Sequence, residues 1–247
     1  MPNKIVFIGG MGRSGTHYLG RILGEHPQTI LRLESKFTFK SITQYVVFRG
    51  ERHRLLVWLA LAYLKIKSML TQKQIIEKTH PAIWIKDKID FISPQAKWIC
   101  VVRDPYQAIA SMKKHAGVQA WYDRVSLSEH NDFLGITAQN VSQFGQLSLV
   151  QKGAFKWIAH MNQMEQIKND SPDRVLIVHF DDLVQRQAQT LNEVFQFLDL
   201  SPIEPREKGN AKTLRKKQAL KPAEVNEIDE ILRSHNRVEW MKYRPEE

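Results

Sequence analysis

One stretch, Ile5–Leu23 (IVFIGGMGRSGTHYLGRIL), restricts the fold of this chain more than any other. Ile5-Val6-Phe7-Ile8 is a short, uninterrupted apolar run, which suits a strand buried on both faces. Gly9, Gly10 and Gly12 follow, then Arg13-Ser14-Gly15-Thr16. A helical stripe of Tyr18, Leu19, Ile22 and Leu23 comes next and stops before Pro27. Strand, glycine turn and helix together present backbone N–H groups and a helix N-terminus to a phosphate-like anion.

The residues inside the turn decide which anion. The nucleotide-triphosphatase form, G-x-x-x-x-G-K-[ST], needs a lysine for the terminal phosphates and a hydroxyl for magnesium. Counted from Gly10, those two slots hold Thr16 and His17. The cation present is Arg13, whose planar guanidinium suits a two-pronged grip on a tetrahedral oxyanion. GxxRSGT after the first strand resembles the 5′-phosphosulfate loop of the sulfotransferases. That resemblance implies that Gly10, Gly12, Arg13, Ser14, Gly15, Thr16 and His17 bind the phosphosulfate of 3′-phosphoadenosine 5′-phosphosulfate (PAPS).

Further strands are predicted at Thr29–Leu33, from Gln74 to Glu77, at Lys97–Val102 and from Arg174 to His179. Helical patterns lie between them: Lys36–Phe48, 51–70, 106–115 behind an Asp104-Pro105 cap, a long stripe from Val150 to Met164, and Ala188 to Leu198. A last helix starts at Pro222. Alternating strands and helices imply an α/β fold: a P-loop-like domain whose central parallel sheet of about five strands carries helices on both faces. No linker interrupts the 247 residues, so a single domain over 1–247 is expected. The polar stretch 117–149 has no sustained period and reads as a lid over the acceptor.

Three more clusters extend the resemblance. WICVVRDPYQAIAS (98–111) resembles the sulfotransferase segment that binds the 3′-phosphate, which implies that role for Arg103 and Ser111. Glu77-Lys78-Thr79-His80-Pro81 resembles the cytosolic Lys-Thr-His segment, with His80 as general base and Lys78 on the transferring group. EHPQTILRLES (25–35) resembles the bacterial and protein-tyrosine branches, where a glutamate, here Glu34, takes the proton. Both bases stay open, Glu34 ranked first. Arg13 and Lys78 would stabilise the developing charge. The basic run 212–217 resembles a C-terminal segment over the nucleotide, with Arg215 and Lys216 as candidate contacts.

The net charge of +10 favours anionic ligands without naming one. The resemblance implies transfer of a sulfuryl group from PAPS, without a metal, to a small-molecule, lipid, glycan or peptide-tyrosine hydroxyl or to an amine. Nucleic acid is not an expected partner. The rival readings are a P-loop nucleotide kinase and a non-catalytic polyanion binder. The apolar run 55–64, flanked by Arg49, Arg52, Arg54, Lys65 and Lys67, is too short to span a bilayer. It reads as a buried helix, or as a peripheral membrane contact through 49–67. A lone cysteine, Cys100, and no signal-peptide pattern suggest a cytoplasmic location.

Overall fold

Strand β1 (Ile5–Gly10) is the middle strand of a five-stranded, all-parallel sheet of order β2-β3-β1-β4-β5, which explains its unbroken apolar run. Its neighbours are β3 (Gln74–Lys78) and β4 (Lys97–Val102), with β2 (Thr29–Leu33) and β5 (Val175–His179) at the edges. Central strands of this kind are covered on both faces, and every residue of β1 and β3 is buried. Phe7 stacks on Trp98 of β4, its register partner, with ring centroids 5.0 Å apart. This computed structural model describes residues 5–206, 209, 217–243 and 245.

The chain forms two compact units, Met1–Val102 with Gln163–Gly209 and Arg103–Asn162 with Asn210–Glu247. The first holds the whole sheet. It also holds helices α1 (Thr16–Gly24), α2 (Lys36–Phe48), α3 (Glu51–Met69) and α4 (Lys86–Ile92), which flank the sheet with further helices from later in the chain. On α1 three of the four residues in the stripe expected from the sequence, Leu19, Ile22 and Leu23, are fully buried, while Tyr18 is half-buried with its hydroxyl accepting from Gln187. At Gly20 this helix packs on β2 and β3: a Cβ there would lie 3.4 Å from Leu33 and 3.6 Å from the Lys78 stem, ordinary van der Waals contact.

In the second unit, α5 (Pro105–Lys113) starts where expected, because the Asp104 side chain accepts from the N–H of Gln107 and Pro105 needs no donor. Helix α6 (Ala116–Tyr122) was not foreseen, since the stretch lacks a clear 3.6-residue period. The segment up to α7 (Leu149–Asp170) is irregular in backbone yet packed, with Phe133, Leu134, Ile136 and Phe144 buried and an isolated bridge between Asn131 and Ile136. Helices α8 (Phe180–Gln185) and α9 (Gln187–Phe197) belong to the first unit and α10 (Pro222–Ser234) to the second. In α10, Asp229 accepts a buried 2.6 Å hydrogen bond from the Tyr106 hydroxyl of α5.

Candidate active site

Strands β1, β3 and β2 lie side by side, with Ile8 and Leu33 both in register with Lys78; β2 and β3 end there and β1 runs on to Gly10. In parallel sheets ligands collect beyond such carboxyl ends. Gly10, the last residue of β1, has φ 139, and a Cβ on it would stand 2.6 Å from the Val101 carbonyl oxygen. Only glycine lets the chain leave the sheet at that point. The Ser14 N–H then donates to the Met11 carbonyl at 3.2 Å and closes the turn, with Arg13 exposed at φ 77. Gly15 caps α1 at φ 93 with no side-chain cap bond, and no acid lies in the first turn. The loop thus keeps helix N–H groups and positive dipole for an anion, which is the chemistry a phosphosulfate needs.

Beside this loop stands Glu34, itself in a left-handed conformation at φ 48, its N–H donating to the Lys78 carbonyl at 3.0 Å. Three side chains converge on one of its oxygens, Oε1. Lys78 Nζ donates a short hydrogen bond to it, His80 Nδ1 lies 3.2 Å away and His17 Nε2 3.1 Å. Burial pushes the Glu34 pKa up, but hydrogen bonds from His17, His80 and Lys78 and the Lys78 charge outweigh it. The carboxyl is held well below the usual range and is ionised. Lys78 is almost wholly buried. Burial lowers its pKa, the Glu34 carboxylate partly restores it, and the Arg13 charge lowers it further. His80 reaches both ways: Nδ1 meets Glu34, while a Cβ on Gly12 would lie 3.7 Å from Nε2.

The structure therefore brings Glu34, Lys78, His80 and His17 into one cluster next to the glycine loop. Among the described residues Glu34 pairs with Lys78, His17 and His80 rather than with its sequence neighbours Arg32 or Lys36. Arg103 and Ser111 lie in the second unit, both buried. Arg103 Nε and Nη2 each donate to Gln107 Oε1 at 3.1 Å, and its carbonyl accepts from the Trp157 indole at 2.9 Å. Arg215 and Lys216 lie outside the described residues.

Sequence reasoning missed the support beneath the cluster. Arg32 and Glu77 face each other across β2 and β3, and Arg32 Nε donates to Glu77 Oε2 at 2.9 Å, with Glu77 fully buried. Arg32 also donates to Ser35 and Thr38, and the Thr79 hydroxyl donates to Glu77 Oε1 at 2.6 Å. Burial raises the Glu77 pKa despite these partners. The available signal was a charge of each sign at matching places in two apolar strands. Because removing one partner strands a buried charge, Glu77→Ala is expected to lower unfolding free energy by about 3–5 kcal/mol. Chemical denaturation measures this, and a loss below about 1 kcal/mol would reduce the pair to a surface-like contact.

The sequence profile of the Sulfotransferase family matches residues 5–205, a span that includes the glycine loop, Glu34, Lys78, His80, Arg103 and Ser111. The chain belongs to the sulfotransferase family. Among curated proteins it is similar to a putative protein-tyrosine sulfotransferase of Caenorhabditis briggsae, 24% identical over 214 residues that cover 80% of this chain. The chain spans 66% of that relative's length, just under two thirds. The sulfotransferase domain of the Synechococcus PCC 7002 olefin synthase shares its fold at a TM-score of 0.61 and 16% identity, covering 95% of each chain. Mouse sulfotransferase SULT7A1, solved with PAP, matches at 0.52 and 17% identity over 98% of this chain and 86% of its own. At such identities these structures establish the sulfotransferase fold. The α/β architecture with a parallel five-stranded sheet agrees with the expectation from sequence.

Proposed function

We propose that this chain moves a sulfuryl group from PAPS to an acceptor hydroxyl, with Glu34 taking the acceptor's proton. The observation that carries the reading is the convergence of Lys78, His80 and His17 on Glu34 Oε1, beside an arginine-bearing glycine loop that lacks the Walker lysine. PAPS supplies the group: the acceptor oxygen bonds to sulfur as the bond from sulfur to the bridging oxygen breaks, releasing 3′,5′-bisphosphoadenosine (PAP). Loop N–H groups between Gly12 and His17 other than that of Ser14, which closes the turn, and the Arg13 guanidinium would hold the 5′ end. Arg103 and Ser111 would hold the 3′-phosphate, through a charged fork and a hydroxyl donor.

Lys78 has two tasks in this scheme. At rest it neutralises Glu34, and with donor bound its ammonium turns to the bridging and equatorial oxygens where negative charge grows. Losing that partner raises the basicity of Glu34 at the moment a proton must be accepted. His80 and His17 keep the carboxylate aligned. One observation favours a second reading, in which His80 is the base: its Nδ1 is tied to Glu34 while Nε2 lies on the loop side, near Gly12. The acceptor class extends from small molecules, lipids and glycans to the tyrosine suggested by the nematode relative's name. Both units are read as parts of one sulfotransferase-like domain, since the family match runs through both.

Ligand-dependent melting tests the donor. PAP is expected to raise the melting temperature more than AMP or ATP with magnesium, by the equivalent of roughly 2.7 kcal/mol at 100 times its dissociation constant. A larger shift with ATP and magnesium would favour the kinase reading instead.

A further inference from the structure

Helix α3 is apolar on two opposite sides. One side, Val57, Ala60, Leu61 and Leu64, is buried in the first unit. The other carries Leu55 at 61% exposure, Leu59 at 51% and Ile66 at 58%, then Met69 and Leu70. Their spacing makes one stripe about 22 Å long, at 1.5 Å per residue. Phe91, 78% exposed, extends it sideways by packing edge-on against Trp58. A helix apolar all round is normally covered on both sides. Among the described residues, no helix is long and apolar enough to cross a membrane.

The rim around the stripe is predominantly cationic. Residues 49–73 contain six Lys or Arg and one Glu, a net +5 out of the chain's +10. Arg52 and Arg54 line an open groove of about 730 Å³ with Glu51, Tyr45, Trp58 and Lys88, next to Leu55, and Arg54 pairs with Glu51 at 2.6 Å, so cations outnumber the one acid there three to one. Cations beside aromatic rings, next to an apolar stripe, are the composition of helices that lie in the headgroup layer. A second copy fits less well, because a two-fold contact through this face would set its cations against each other.

We infer that the exposed face of α3, with Phe91 and the Arg52–Arg54 groove, docks on an anionic bilayer surface, the stripe entering the acyl boundary and the cations meeting lipid phosphates. This inference does not depend on the reaction proposed above, and its test reads binding rather than turnover.

The test is co-sedimentation of the whole chain with vesicles of phosphatidylcholine alone, and with vesicles mixed equally with phosphatidylglycerol. Binding is expected only to the mixed vesicles. Arg52→Ala with Arg54→Ala should weaken it about 25-fold, at roughly fivefold per cation. Leu59→Gln with Ile66→Gln should abolish it without changing the melting temperature, since both positions are exposed. Quenching of tryptophan fluorescence by brominated lipid checks insertion in the unaltered chain. Pelleting that ignores vesicle composition would overturn the inference. Binding that survives the Gln pair would do so too, leaving simple charge adsorption. A dimer in sedimentation velocity that the Gln pair dissolves would assign this face to a second copy instead.

Discussion

Glu34→Gln is expected to lower kcat by about 10²–10⁴, the usual contribution of a positioned general base. The amide keeps the shape and still accepts a hydrogen bond from Lys78, so PAP affinity should stay within a few-fold. His80→Asn removes one of three contacts to Oε1 and is expected to cost only about tenfold, as a positioning group rather than the proton acceptor. The pH profile separates the two bases. In the free protein Glu34 is held ionised well below the usual carboxylate range, so kcat/KM should show no acid limb near neutrality. A histidine base would instead give an acid limb, since protonation removes its acceptor nitrogen. That limb, combined with a His80→Asn loss equal to that of Glu34→Gln, would transfer the role to His80.

The parts of the fold legible in the sequence were those where one local rule dominated. β1 and β4 read as buried strands because a strand covered on both faces has no polar residue to hide, and their pairing through Phe7 and Trp98 bears this out. Asp104-Pro105 marked the start of α5 because cap chemistry is local. The candidate site is legible one residue at a time: Glu34, Lys78 and His80 each follow a predicted strand. What could not be read was their meeting on one oxygen, which depends on β2 lying next to β3. Sequence order alone leaves that adjacency open, and the Arg32–Glu77 pair was hidden for the same reason. α6 escaped because a short helix without a stripe has no period to detect. The run 55–64 reads from sequence as a buried helix or as a peripheral membrane contact; in α3 one apolar face is in the core and the other is exposed.

Lys78→Met carries the second large expected effect, a fall in kcat of about 10²–10³, as for removal of one group aimed at developing charge. Methionine fills the channel beside Gly20 that the lysine stem occupies, so packing survives while the cation is lost. The sign of the accompanying pH effect follows from the environment. Burial lowers the Lys78 pKa from the ordinary 10.5, and the Glu34 carboxylate restores only part of it. Activity that needs the ammonium is therefore full at lower pH and falls as pH rises, with a midpoint below 10.5. The methionine variant should lose this alkaline limb along with the rate. It should also let the Glu34 pKa drift back up, because the carboxylate keeps only His17 and His80 as donors. Kinetics from neutral to alkaline pH on both proteins decide the matter. A variant within tenfold of the parent rate, or one with the same alkaline limb, would mean that the charge on the departing group is met by Arg13 and the loop N–H groups without Lys78.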